Sequence, residues 1–340
     1  MKNNETDKDG VVWRKTPSGM DCYFIPMPNY GEKMAAIVVK AGSNFLLSDG
    51  SDGKGPQTFP EGTAHFIEHR LFRQSWGDAF AAFSKQGASA NAFTDPLKTV
   101  YYFSCHENFF ENLRLLLSFV QNPYFLKEET EQEKSIIDSE ITMYDDDPDW
   151  VVYYQLLQAM YHNHPVRIPI AGDHKSIKEI NYKVLRQAYD CLYTPDRFSL
   201  ICGGDIPIRK VMESVGMMKK EKVGSKPLFD REPSEVKESY IERKLGITRP
   251  IFQIGIKMTP ITQNRFEQRI VMGILMDALV GESSLFYKEA YEKKYLAEPM
   301  GVAYFSGEEY AFCAFSGVGE RGQEVCNLFM DHLERMRRNG

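Results

Sequence analysis

The feature that most constrains this chain is a repeat. Strand-like runs at 34–39 and 100–104 and a helical stretch at 107–120 have partners at 251–256, 311–315 and 322–338, displaced by 217, 211 and 215 residues. A near-constant displacement points to two copies of one supersecondary unit, each burying an apolar face against its own core. The 340 residues are enough for about two domains of ~100–200 residues each. Between 219 and 237 the chain turns charged, with Pro227 and Pro233 and little periodicity, so a linker is expected at 221–237 between lobes 1–220 and 238–340. Removing the displacement from Gly340 lands near residue 125, so the second lobe is expected to be shortened at its C-terminus.

Inside the first lobe, Val11–Trp13, Asp21–Pro26 and 34–39 read as a strand meander, 62–74 as a helix, and 89–94 with 99–103 as a hairpin turning at Asp95-Pro96. Phe109, Phe110, Leu113, Leu116, Leu117 and Val120 form one helical stripe. An acidic helix follows over 127–144, stopped by Asp145-Asp146-Asp147-Pro148. Helices at 150–161 and 178–192 and a strand at 198–202 complete the lobe. Hydrophobic residues at 43% and aromatics at 13% are too many for a disordered chain, and a net charge of −6 argues against nucleic acid as a partner. The N-terminus lacks the apolar stretch of a signal peptide and no run approaches the ~18 apolar residues of a membrane span, so a cytoplasmic protein without membrane contact is expected. Six scattered cysteines without a CxxC read as reduced thiols. Asp49–Gly55 fails the acidic spacing of a calcium loop, Gly87–Asn91 lacks the last glycine of a GxSxG elbow, and there is no GxxxxGK phosphate loop.

The chemistry concentrates in His65-Phe66-Ile67-Glu68-His69. On a helix His65 and His69 stand one turn apart on one face, close enough for two imidazoles to reach one zinc ion, and Glu68 lies beside them as a carboxylate able to act on a metal-held water. A catalytic zinc usually takes a third protein donor. In the acidic helix Glu133 and Glu140 are two turns apart and face the same way, with Ile136, Ile137 and Ile141 expected to pack the neighbouring face. Spacing alone leaves open which of the two glutamates binds metal.

Pro60–His69, Gly87–Thr94 and Glu133–Ile141, taken together and in this order, resemble the M16 family of zinc metallopeptidases, the insulinase, pitrilysin and processing peptidase group. Met143–Trp150 and His164-Pro165-Val166 are closest to its bacterial branch of short two-lobe subunits. The resemblance implies an α+β fold, M16/LuxS-like, of two homologous lobes, each a mostly antiparallel sheet covered by helices. It implies one zinc per chain held by His65, His69 and Glu140, with Glu133 behind the ligands and Glu68 as general base. It also implies that a peptide substrate adds as an extra strand along Asn91, Ala92 and Phe93.

One departure stands out. Family members carry an arginine and a tyrosine that stabilise the oxyanion, and in the matching stretch 285–304 Tyr291 stands where arginine is expected. A second M16-like subunit is therefore expected to supply the donor, with Tyr304 as a partial substitute. The activity implied is a zinc-dependent endopeptidase acting on short or unfolded peptides. The alternatives are a non-catalytic peptide-binding subunit of an M16-type complex and a processing enzyme for the leader of a ribosomally made peptide.

Overall fold

The computed structural model describes residues 5–7, 9–216, 223–261 and 264–339. The start of the expected linker, 221–222, lies outside them. In chain order the elements are β1 (Glu5–Thr6), β2 (Val12–Lys15), β3 (Asp21–Pro26), β4 (Lys33–Val39), α1 (Thr63–Leu71), β5 (Arg73–Gln74), β6 (Gly77–Asp78), α2 (Ala79–Lys85), β7 (Ala88–Thr94), β8 (Thr99–Cys105) and α3 (Phe109–Gln121). They continue with α4 (Lys127–Asp145), α5 (Pro148–Met160), α6 (Ser176–Glu179), α7 (Tyr182–Leu192), β9 (Phe198–Gly204) and α8 (Ile208–Val215). The last six are β10 (Ile251–Met258), α9 (Arg265–Val280), α10 (Leu285–Glu292), β11 (Gly301–Ser306), β12 (Ala311–Val318) and α11 (Gly322–Asn339).

Two compact units result, 1–141 with 169–228, and 142–168 with 229–340. The segment 142–168, placed in the first lobe by the sequence reading, groups with the second, because α5 packs against β10. The first unit holds a seven-stranded sheet in the order β1-β2-β3-β9-β4-β8-β7, antiparallel except for the β3/β9 pair. The stripe on α3 buries Phe109, Leu113, Leu116, Leu117 and Val120, and each such side chain contributes about 1.5–3 kcal/mol relative to exposure. β7 closes one end of the sheet. Its Ala88, Ala90 and Ala92 pack against the core while Ser89, Asn91 and Phe93 face outward, the two-residue alternation of a half-buried strand.

The second unit repeats part of the first. Its sheet runs β10-β12-β11, matching β4-β8-β7, and α9, α10 and α11 follow the chain order of α1, α2 and α3. Among the described residues nothing pairs with β10 in the place that β9 takes beside β4, and Phe266, Ile270, Val271, Ile274 and Leu275 on α9 are exposed. One expectation is corrected here. The stretch Arg265–Glu292 reaches a mean hydropathy of 1.5 over an 18-residue window, which a search for unbroken apolar runs misses because Asp277 and Glu282 interrupt it. The helix nonetheless breaks between Val280 and Leu285, leaving α9 with 16 residues against the ~20 that a membrane core requires.

Candidate metal centre

α1 is fixed at its start by a backbone only glycine tolerates. Gly62 has φ +84°, and a Cβ there would lie 2.3 Å from the carbonyl oxygen of Ala171. Phe66, Ile67 and Leu71 then sink into the core, which turns the face carrying His65 and His69 toward α4. On α4 the buried positions are Thr130, Glu133, Ile137 and Ile141, spaced as one helical stripe. Ile136, expected to pack beside them, is 54% exposed, since it sits about 100° around the helix from Ile137.

These two helices bring the predicted residues together. His65 Nε2 lies 3.6 Å from one carboxylate oxygen of Glu140 and His69 Nε2 lies 3.6 Å from the other, with the imidazole centroids 4.5 Å apart. One donor atom from each of the three residues falls within 4.8 Å of the others. At 3.6 Å the imidazole nitrogens stand beyond hydrogen-bond distance of the carboxylate, and the three donors are close enough together to bind one ion. Glu133 Oε1 stands 3.1 Å from His69 Nδ1 and orients that ring. Behind Glu133 is Arg70, 2% exposed, which pairs with Glu133 at 3.6 Å and with Glu129. His65 has no such support, as its buried Nδ1 has no hydrogen-bond partner among the described residues.

The electrostatics favour a cation. Burial, with a further contribution from His69, holds His65 down to about 3, so its ring is neutral and keeps a lone pair to donate. Burial also pulls His69 down, but the Glu133 hydrogen bond and the charges of Glu68, Glu133 and Glu140 outweigh it and raise this histidine above its ordinary value. Burial raises Glu68, although a hydrogen bond from Thr94 and the charge of His69 oppose the rise. The carboxylates of Glu133 and Glu140 thus stand against the two imidazoles with Glu68 beside them on α1, a grouping suited to a divalent ion. Two imidazole nitrogens and a carboxylate are also the donor set that zinc prefers.

Glu68 Oε2 accepts the Thr94 hydroxyl at 2.7 Å, while Oε1 makes no hydrogen bond among the described residues. α1 packs against β7, the strand that carries Asn91, Ala92 and Phe93; Phe93 is 45% exposed, and the Asn91 side chain accepts the amide of Ala92. Tyr291 on α10 and Tyr304 on β11 belong to the second unit. The first is 58% exposed and the second 8%, inside that unit's hydrophobic cluster. Sequence reading missed Thr94 and Arg70. For Arg70 a signal existed, because a cation on a helix face otherwise filled with core residues demands an acidic partner. Replacing Glu133 with glutamine is expected to weaken zinc binding by about 10–100-fold without unfolding the chain, as read by competition with a chelator.

Comparison with known proteins agrees with this geometry. Residues 35–174 match the profile of insulinase (peptidase family M16), and residues 179–340 match the peptidase M16 inactive domain. YmfH of Bacillus subtilis, named a zinc protease, is 36% identical over 324 residues, covering 91% of this chain and 74% of that protein. An M16-like peptidase from Alicyclobacillus acidocaldarius superposes with a TM-score of 0.90 at 28% identity, over 99% of this chain and 81% of that one. Pitrilysin shares the fold at a TM-score of 0.73 and 15% identity, over 100% of this chain and 37% of its own. With both halves of the chain matched and a relative this similar along most of its length, the protein belongs to peptidase family M16.

Proposed function

We propose that this chain is a zinc-dependent endopeptidase that cleaves short or unfolded peptides, with one zinc held by His65, His69 and Glu140. The observation that carries this reading is the convergence of two imidazole Nε2 atoms on the two oxygens of one carboxylate, next to a buried glutamate that binds neither. Bound there, zinc would supply Lewis-acid chemistry, making a water acidic enough to lose its proton near neutral pH and polarising a peptide carbonyl. Glu68 would accept a proton from the attacking water on Oε1, which makes no hydrogen bond among the described residues, and hand it to the departing amine. Glu133 holds the His69 ring through Nδ1, keeping Nε2 directed at the ligand position. An extended peptide adds along the outer edge of β7, where backbone hydrogen bonds give affinity and the outward Ser89, Asn91 and Phe93 meet alternate substrate side chains.

The oxyanion donor comes, in this proposal, from a second M16-like chain. Tyr291 stands where the family resemblance places an arginine, and the Tyr304 hydroxyl is buried in a hydrophobic cluster. Losing one such donor costs about 10²–10³ in rate, so the isolated chain should be slow. The same observation favours a second reading, a peptide-binding subunit with little turnover of its own. Stripping metal with a chelator and adding zinc back, with and without a homologue that has the arginine and tyrosine, separates them. Cleavage of an unstructured peptide should vanish on stripping, return with zinc and rise with the homologue. Stoichiometric zinc with peptide binding but no cleavage under either condition would establish the second reading instead.

A further inference from the structure

We propose that Thr94 is a positioning residue for proton transfer, holding one oxygen of Glu68 so that the other is presented to the reacting water; the inference rests on Glu68 being the general base. Thr94 and Glu68 are both buried, and the Thr94 hydroxyl donates to Glu68 Oε2 at 2.7 Å, a short contact to a carboxylate of the charge-assisted kind. An ionised carboxylate only accepts, so the Thr94 hydroxyl is the donor. Thr99, fully buried with its hydroxyl 3.3 Å from that of Thr94, gives its own proton to the carbonyl of Ala41 at 3.0 Å.

The backbone that carries Thr94 is held from several sides. Thr94 ends β7 and is paired across the ladder with Thr99, and the next residue, Asp95, accepts the amides of Leu97 and Lys98 at 2.7 and 2.8 Å to close the turn. The amides of Ser43 and Asn44 bond to the carbonyls of Asp95 and Pro96 at 3.0 Å. Gly42 makes that approach possible, since a Cβ there would fall 2.1 Å from the Asp95 carbonyl oxygen. A glutamate side chain has several free torsions, and such a rigid donor selects one arrangement of its carboxylate. β7 is also the strand proposed to receive the peptide, so substrate backbone and base share one support. A base displaced by about 1 Å loses about 10²-fold in rate, which sets the scale of the effect.

The test uses the zinc-loaded chain with whatever partner gives cleavage, and compares Thr94→Val, Thr94→Ser and Glu68→Gln. Valine keeps the shape and β-branching and removes the hydroxyl; Thr94→Ala replaces it should the valine variant melt early. Expected is a kcat lowered by about 10–100-fold with KM, bound zinc and chelator-measured zinc affinity within about twofold of wild type, and recovery to within about threefold in the serine variant. A valine variant with unchanged kcat beside an inactive Glu68→Gln would overturn the role of Thr94 alone. Loss of zinc from the valine variant would also overturn it, by showing that Thr94 acts through the ligand helix. Cleavage undiminished in Glu68→Gln, or absent from wild type, removes the base assignment and this inference with it.

Discussion

Replacing Glu68 with glutamine should lower peptide cleavage by about 10²–10⁴-fold while one zinc remains bound per chain. Glutamine has nearly the same volume and still accepts the Thr94 hydroxyl through its amide oxygen, so α1 and its packing persist. What is lost is the anionic oxygen that receives a proton. Glu68 is not among the three donors that converge on the metal position, so zinc content and thermal stability are predicted to stay near wild type. Metal analysis beside a steady-state cleavage assay reads both quantities on one preparation. A variant that retained wild-type turnover would show that another group handles the proton.

How much of this was readable in advance depends on the range of each interaction. The placement of His65, Glu68 and His69 follows from helical periodicity, so five consecutive residues were enough. Choosing between Glu133 and Glu140 was beyond local reasoning, because residues two turns apart face nearly the same way. The fold separates the two glutamates by depth. Glu133 lies in the buried stripe with Thr130, Ile137 and Ile141 and reaches the outer nitrogen of His69, whereas Glu140 is half-buried beyond that stripe and meets both Nε2 atoms. Ile136 failed for the same reason, since a run of three isoleucine positions does not say which of them the helix rotates inward. Thr94 depended on a contact 26 residues away in sequence, and no local pattern announces that a strand-ending hydroxyl will meet a helix carboxylate. The repeat was legible from spacing alone, and the common order of β4-β8-β7 and β10-β12-β11 gives it structural content.

The second large effect belongs to Glu140. Its two oxygens each face one imidazole Nε2, so Glu140→Gln removes the negative charge that makes a carboxylate a ligand and leaves a weak amide donor. Removing a group behind the ligands typically costs 10–100-fold in affinity; removing a ligand should cost at least about 100-fold, and activity should fall with zinc occupancy. The loss should be larger than in Glu133→Gln, because Glu133 meets the proposed metal site through the His69 ring. The most direct measurement is an anomalous difference map from zinc-loaded crystals collected at the zinc absorption edge. A single strong peak bonded to His65 Nε2, His69 Nε2 and a Glu140 oxygen, and absent from Glu140→Gln crystals, is the predicted result. A peak that omits Glu140, or one that survives undiminished in the variant, would contradict it.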